Sequence, residues 1–212
     1  MPIELAGTER STIELEGVLA EAAARACVPA ALPLRRRDDG VEVSLLLFDM
    51  VGLGLRAPLR LGPSFDYAEA LWRVGVHWRE QPAWFAVACD LDRAIVRRLG
   101  AVMVRYPVRA ATVAVARDRA RVALPDAAIE VFADARPSSP PPQPPRPLLV
   151  AHRGRLLRIP WREDPAPLRE HAAITVDDRG LGERTLGATP RWADAGLVHA
   201  GRVHRCGVAG RA

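Results

Sequence analysis

The segment DYAEALWRVGVHW, residues 66–78, constrains the fold of this chain more than any other stretch of its sequence. Successive side chains of a β-strand point to opposite faces of the sheet, so residues at every second position share a face. From Ala68 to Trp78 one set of alternate positions is apolar, and the other set includes Glu69, Arg73 and His77. The alternation therefore predicts a strand with one apolar face and one face that bears a carboxylate, a guanidinium and an imidazole.

Much of the remaining chain also has the pattern of short strands. Apolar or alternating runs that are bounded by turn signals predict strands. They occupy residues 41–50, 82–90, 111–124 with a hairpin turn near Asp118, and 127–134. Helical spacing is found at residues 17–28 and 92–100, where proline or glycine ends the pattern. Many short strands with two or three short helices predict a mainly β (α+β) fold, built as an antiparallel β-barrel or sandwich.

A low-complexity segment, PSSPPPQPPRP at residues 137–147, interrupts the strand pattern. A proline tract of this kind is typical of a domain linker or of an extended surface loop. Strand-like sequence resumes directly after it, at LLVAHRGRLLRIPW. With 212 residues the chain is long enough for one core and too short to require two. We therefore expect a single domain over residues 1–212, with a Pro-rich loop at 137–147.

Composition and charge argue against several classes of function. No apolar run approaches the roughly 20 residues that span a bilayer, and the N-terminus has no signal-peptide pattern, so we expect a cytoplasmic protein that does not bind a membrane. The net charge is +5, but the arginines are dispersed, which argues against a specific nucleic-acid partner. The three cysteines and five histidines show no metal-ligand spacing, so we expect no metal and no cofactor.

Lysine is absent from the sequence, since all 30 basic residues are arginine. Arginine stays protonated at physiological pH and does not act as an amine nucleophile. Schiff-base chemistry on a lysine side chain is therefore excluded for this sequence.

Three stretches, in order along the chain, resemble the acetoacetate decarboxylase superfamily. They are VEVSLLLFDM, GPSFDYAEALWRVGVHWREQPAWFAVACD and VRYPVR. In that family a Tyr-x-Glu strand is followed by a Glu-Pro-Ala-like turn and then by a Tyr-Pro-Lys-Lys motif. The corresponding positions here are Tyr67 and Glu69, the turn at 81–83, and residues 106–109. The resemblance covers about residues 12–125.

The resemblance implies a cone-like β-barrel with an internal cavity, and it suggests a homo-oligomer. In the family a lysine whose pKa is lowered by a neighbouring cation forms the Schiff base, which is the standard example of this chemistry. Val108 occupies the position that matches this lysine, and Arg109 the position of the neighbouring cation. A valine cannot form an imine. The chain thus resembles a branch of the superfamily that lacks the Schiff-base lysine.

The residues that the resemblance brings to the cavity suggest a different chemistry. Glu69 is the candidate catalytic acid or base, and Arg109, Tyr106 and Tyr67 are the candidate substrate-binding residues. A buried arginine binds a carboxylate through two hydrogen bonds, and a nearby glutamate can transfer a proton. We therefore expect binding or transformation of a small oxo- or hydroxy-carboxylic acid by acid/base catalysis. For an enzyme, this means a lyase- or isomerase-type activity without a Schiff base.

Two alternatives remain open from the sequence. A Glu69–Arg109 or Glu69–Arg73 ion pair would simply satisfy buried charge, because a buried ion pair is not in itself evidence of catalysis. The chain would then be a non-catalytic structural or interaction protein that uses the barrel as a scaffold and the Pro-rich loop for docking. A cavity lined by Glu69 and Arg109 would favour the catalytic interpretation, and a closed, apolar-filled barrel the structural one.

Overall fold

The computed structural model describes residues 4–56, 60–136, 146–164 and 168–212. Over these residues the chain forms sixteen β-strands, three short α-helices and one π-helical turn. The strands are β1 (Glu4–Leu19), β2 (Arg36–Arg37), β3 (Gly40–Arg56), β4 (Arg60–Trp78), β5 (Gln81–Leu91), β6 (Val108–Ala110), β7 (Thr112–Val115), β8 (Arg119–Leu124), β9 (Ala127–Arg136), β10 (Leu148–His152), β11 (Arg155–Ile159), β12 (Trp161–Glu163), β13 (Leu168–Arg179), β14 (Arg191–Ala200), β15 (Val203–Gly207) and β16 (Gly210–Arg211). The helices are α1 (Glu21–Cys27), α2 (Ala94–Leu99) and α3 (Leu181–Leu186), and the π-helical turn is Gly100–Val104. None of these helices is long and apolar enough to cross a lipid bilayer.

All sixteen strands belong to one sheet, whose main path runs β16-β11-β10-β5-β4-β3-β1-β14-β13-β9-β8-β7. Most of the strand pairs are antiparallel, and β5 forms parallel pairs with β6 and β10. Within the described residues the two ends of this path do not pair, so the sheet is open rather than a closed barrel. The predicted mainly β class with two or three short helices is confirmed, and the number of α-helices is three. The single-domain prediction stays a prediction.

Strand β4 separates two hydrophobic cores because its side chains alternate between the two faces of the sheet. Its residues Ala70, Trp72 and Val74 belong to the larger core, with side chains of β1, β3 and β9. Its residues Tyr67 and Leu71 belong to the smaller core. Other members of the smaller core include Leu5, Phe48, Met50, Cys89, Leu91, Val96, Val104, Tyr106 and Cys206. The predicted alternation of β4 is confirmed, with the difference that both of its faces are buried.

Helix α2 and the π-helical turn pack on the smaller core and lead the chain into β6. Val96 of α2 and Val104 of the turn are buried there. The turn ends at Arg105, which has a left-handed backbone with φ of 63°, and the N–H of Tyr106 bonds back to the carbonyl oxygen of Gly100 at 3.3 Å. This reversal places Tyr106 against the smaller core. Single π-helical turns are rare and occur often at functional sites.

The early helix is shorter than the sequence pattern predicts. It spans Glu21–Cys27 rather than residues 17–28, because residues 17–19 extend β1 and pair with β3. Strand pairing therefore takes precedence over the helical spacing at the start of the segment. The second predicted helix, at 92–100, is α2 together with the start of the π-helical turn.

The predicted turn at residues 81–83 is instead the start of β5. The chain reverses one step earlier, at Arg79 and Glu80, which both have positive φ, of 50° and 65°. Positive φ at both central residues is what a two-residue hairpin connection requires. The hairpin predicted near Asp118 is confirmed by the antiparallel pairing of β7 with β8.

Candidate functional site

A cavity of about 40 Å³ lies within the smaller core. Its wall is largely apolar, with side chains from β1, β3, α2 and the π-helical turn. These apolar residues include Leu5, Met50, Leu53, Val96, Leu99 and Val104. The polar residues on the wall are Tyr67, Glu69, Tyr106, His204 and Cys206. An apolar cavity with a few convergent polar groups is typical of small-molecule sites.

The carboxyl group of Glu69 is the main acidic group of this wall. Glu69 lies within β4, opposite Phe48 of β3 and Leu91 of β5, and it is 4% exposed. Its Oε1 has no hydrogen-bond partner among the described residues. Burial raises the pKa of Glu69 to about 7, although hydrogen bonds from Cys89 and Tyr67 lower it in part. The carboxyl is therefore present in both protonation states near neutral pH, as a general acid or base requires.

Two tyrosines share the wall with Glu69, and both keep their hydroxyl protons. Burial, and then the charge of Glu69, raises the pKa of Tyr106 well above its usual value, and the same causes act on Tyr67. The Tyr106 hydroxyl has no hydrogen-bond partner in the described part of the chain. The cavity wall thus holds an unpaired carboxyl oxygen and an unpaired hydroxyl donor. Buried polar groups in native proteins are normally paired, so this arrangement is one that a bound ligand would complete.

Val108 faces the smaller core from β6. This strand pairs in parallel with β5, and Val108 lies opposite Cys89. Val108 packs against the smaller core, and a Cβ atom added to Gly100, which borders the cavity, would lie 3.4 Å from Cγ1 of Val108. A longer side chain at position 108 would therefore extend toward the region of the cavity.

Arg109 points to the other face of β6 and does not line the cavity. Its guanidinium donates two hydrogen bonds to Asp90, at 2.7 and 2.8 Å, and one to the hydroxyl of Thr185 at 2.9 Å. Asp90 also accepts a hydrogen bond of 2.8 Å from Nε1 of Trp72. The predicted grouping of Arg109 with Glu69 differs from the structure because adjacent residues of a strand point to opposite faces.

Glu69 forms neither of the ion pairs considered from the sequence. Arg73 bonds instead to Glu14 and to the hydroxyl of Ser44, each at 2.7 Å, and Arg109 bonds to Asp90. Within the described residues, no arginine is paired with Glu69. Burial, rather than a countercharge, therefore dominates the protonation of this carboxyl.

Comparison with known proteins identifies the fold. No protein-family model matches the sequence, and the search of curated proteins finds no match. An acetoacetate decarboxylase-like enzyme from Sphingomonas wittichii RW1 superposes with a TM-score of 0.70 at 13% identity, over 100% of this chain and 92% of that chain. Acetoacetate decarboxylase from Legionella pneumophila superposes with a TM-score of 0.69 at 11% identity, over 99% of this chain and 86% of that chain. The chain has the acetoacetate decarboxylase-like fold.

A third structure with the acetoacetate decarboxylase-like fold is that of the enduracididine biosynthesis enzyme MppR complexed with pyruvate. It superposes with a TM-score of 0.64 at 14% identity, over 97% of this chain and 88% of that chain. The structural similarity therefore extends well beyond residues 12–125, to nearly the whole chain. At such low identities it establishes the fold alone.

The acetoacetate decarboxylase-like fold also brings to the cavity two residues that the sequence analysis did not select. His204 and Cys206 lie on β15 and both border the cavity. Burial raises the pKa of Cys206 to about 12, so this thiol stays protonated. The spacing of His204 and Cys206 in VHRCG, residues 203–207, predicts that both side chains lie on one face of a strand. The sequence resemblance, which covers about residues 12–125, does not connect that face with the cavity. The described residues contain no group of three or more His, Cys, Asp or Glu side chains that could hold a metal ion.

We expect Glu69→Gln to stabilise the protein at pH 8 but not near pH 4. The pKa of Glu69 rises from 4.5 in the unfolded chain to about 7 on folding, so the parent loses stability as the pH rises through this window and loses no more above it. At about 1.4 kcal/mol per pKa unit, the free energy of unfolding of the variant should gain on the order of 3 kcal/mol over the parent. Urea denaturation at several pH values measures this difference.

The matched control for this measurement is Glu80→Gln, which changes an exposed glutamate in the turn between β4 and β5. Its stability difference from the parent should not vary between pH 4 and pH 8. A difference for Glu69→Gln that is equally constant would show that the carboxyl of Glu69 titrates as an exposed group does.

Proposed function

We propose that this chain binds a small oxo- or hydroxy-carboxylic acid in the cavity and moves a proton on it through Glu69, without a Schiff base. The observation that carries the proposal is the buried carboxyl of Glu69, with an unpaired oxygen and a pKa of about 7 at the cavity wall. A buried carboxylate with a purely structural role is expected to form an ion pair with a basic side chain, because an unpaired buried charge is costly. A perturbed carboxyl in a cavity is instead typical of a functional site.

The proposed reaction begins at the carbon next to the carbonyl group of the ligand. Ionised Glu69 accepts a proton from this carbon, the C–H bond breaks, and its electron pair moves onto the carbonyl oxygen. The hydroxyl of Tyr106 donates a hydrogen bond to the negative charge that develops there. Return of the proton to the same carbon, as the electron pair moves back from the oxygen, reverses the step and exchanges that proton. In an unsaturated acid, protonated Glu69 can instead return the proton to the far carbon of the conjugated double bond, which moves the double bond and is an isomerase-type outcome. Where the β carbon carries a leaving group, the carbonyl group re-forms, the bond from the β carbon to that group breaks, and Glu69 protonates the departing group, which is a lyase-type outcome.

The fold and the composition support this ligand class and this mechanism. MppR, which has the same fold, forms a complex with pyruvate, a small oxo acid. The sequence contains no lysine, and valine occupies position 108, which matches the Schiff-base lysine of the family. Acid/base catalysis by a carboxyl group needs neither an amine nor an imine.

The alternative, a non-catalytic scaffold that docks partners through the Pro-rich loop, stays a prediction. Residues 137–145 of this loop lie outside the described residues. At the end of the loop, Arg146 bonds to both carboxylate oxygens of Glu42, at 3.2 and 3.3 Å, and its guanidinium lies 4.9 Å from the ring centroid of Trp84. This contact joins the loop to the sheet and favours neither interpretation.

Deuterium exchange into pyruvate tests the proposed proton transfer. We expect the parent protein to exchange the methyl protons of pyruvate in D2O faster than buffer does. Glu69→Gln should lose at least about 100-fold of this rate, because a positioned general base contributes roughly 10²–10⁴-fold. The decay of the methyl signal in ¹H NMR spectra measures the exchange, and the exposed-site variant Glu80→Gln should keep the parent rate.

Exchange that is as fast in Glu69→Gln as in the parent would show that another group moves the proton. A parent protein that exchanges none of pyruvate, 2-oxobutyrate and acetoacetate above the buffer rate would remove the proposed function.

Borohydride trapping tests whether the valine at position 108 accounts for the loss of imine chemistry. With acetoacetate and borohydride, internal peptides of the parent should carry no reduced adduct. Val108→Lys should gain an adduct at position 108, because partial burial against the smaller core lowers the pKa of a lysine and leaves it nucleophilic. The control Val102→Lys places a lysine at a position that is 61% exposed, where mass spectrometry of the peptides should show at least about tenfold less adduct.

An internal adduct in the parent would overturn the proposed absence of imine chemistry. A folded Val108→Lys variant that is modified no more than Val102→Lys would show that position 108 does not reach the ligand.

A further inference from the structure

Among the described residues of the cavity wall, His204 is the one that can carry a positive charge. The other polar residues there are neutral or acidic, namely Tyr67, Glu69, Tyr106 and Cys206. A carboxylate that moves from water into an apolar cavity needs a charged or strongly donating partner. Arg109 is committed to Asp90 on the other face of β6. Among the described residues of the wall, His204 is therefore the candidate partner for the carboxylate of a carboxylic-acid ligand.

Glu9 lies in short contact with the His204 ring. Glu9 lies on β1, which pairs with β15, and its carboxylate is completely buried. Nε2 of His204 lies 2.5 Å from Oε1 of Glu9, and the two groups form an ion pair when the ring is protonated. Burial alone would raise the pKa of Glu9, but its bonds and charge interactions with His204, His199 and Arg202 hold it well below the usual range. The negative charge of Glu9 therefore lies next to the ring of His204.

Two further groups fix the carboxylate of Glu9. Nε of Arg202 donates to Oε2 at 3.0 Å, and Nδ1 of His199 lies 3.2 Å from the same oxygen. His199 lies on β14 and is 2% exposed, but it does not border the cavity. Glu9 thus contacts two buried histidines, of which His204 reaches the cavity wall. This difference makes His199 a matched control for His204.

The face of the His204 ring is fixed as well. The ring stacks on Phe48, with centroids 6.0 Å apart and planes inclined by 18°. Both residues are buried. Because Glu9 holds Nε2 and Phe48 covers one face, the part of the ring that borders the cavity is preorganised for a ligand.

We propose that His204 recognises the carboxylate of the ligand and that Glu9 is its positioning residue. This inference rests on the proposed function, since it names the group that binds the acid on which Glu69 acts. His204 donates a hydrogen bond to a carboxylate oxygen as an imidazolium, while Glu9 holds Nε2 and balances the charge of the ring. The cavity then prefers an oxo acid to a neutral carbonyl compound of the same size.

Pyruvate and pyruvamide test this preference because they are similar in shape and differ in charge. We expect titration calorimetry to show that the parent binds pyruvate at least about tenfold more tightly, as expected for one hydrogen bond between charged groups. His204→Gln retains a donor toward Glu9 and should remove the preference by weakening pyruvate binding alone. Glu9→Gln should also remove it, whereas His199→Gln, which changes the same network away from the cavity, should keep it.

A second measurement uses the parent alone and does not depend on the stability of the variants. In protein labelled with ¹⁵N at histidine, pyruvate should give both ring nitrogens of His204 the chemical shifts of an imidazolium. A neutral His204 ring in the pyruvate complex would overturn the inference.

The outcomes separate this inference from the proposed function. If the parent binds pyruvate and a folded His204→Gln variant keeps the preference over pyruvamide, the role of His204 is wrong and the proposed function stands. The same conclusion follows if His199→Gln loses the preference as fully as His204→Gln does. If the parent binds neither compound, the proposed function fails together with the inference.

Discussion

Burial of a carboxyl group without a countercharge is the constraint on which the account of this cavity depends. The alternation of β4 places Glu69 in the smaller core, where its neighbours include Phe48, Leu91 and the hydroxyl of Tyr67. An ionised carboxylate in such surroundings is costly, and the protein reduces this cost by retaining a proton, so the pKa rises to about 7. The same burial that weakens the fold at high pH gives the cavity a group that can exchange a proton at neutral pH.

The other buried acidic groups of the described residues differ from Glu69 because each has an arginine as its countercharge. Each is paired with at least one arginine at 2.7–3.2 Å: Asp90 with Arg109, Glu9 with Arg202, Glu130 with Arg119, and Glu42 with Arg35 and Arg146. Because arginine keeps its charge at any physiological pH, these pairs are permanent. Glu69 is paired with no arginine among the described residues, and burial raises its pKa. This contrast distinguishes a structural use of buried charge from the arrangement at the cavity.

Features that depend on neighbouring residues were predictable from the sequence, whereas features that depend on the pairing of distant strands were not. The division of β4 between two faces follows from a period of two, which is a property of neighbouring residues, and it placed Glu69 correctly relative to Trp72. The partner of Arg109 depends on the register of β6 against β5, where Arg109 lies opposite Asp90, and no local pattern contains that register. The contact of His204 with Glu9 joins the two ends of the chain through the pairing of β15 with β1, and it follows from sheet topology alone.

Titration of Glu69 itself tests the central claim most directly. In protein labelled with ¹³C at the glutamate carboxyl carbons, one resonance should titrate with a midpoint near pH 7, and that resonance should be absent from the spectrum of Glu69→Gln. Glu80→Gln, in contrast, should retain it. If every glutamate carboxyl of the folded parent instead titrates near the ordinary value of about 4.3 or below, the carboxyl of Glu69 is not held in an apolar, unpaired state, and the account of the cavity is contradicted.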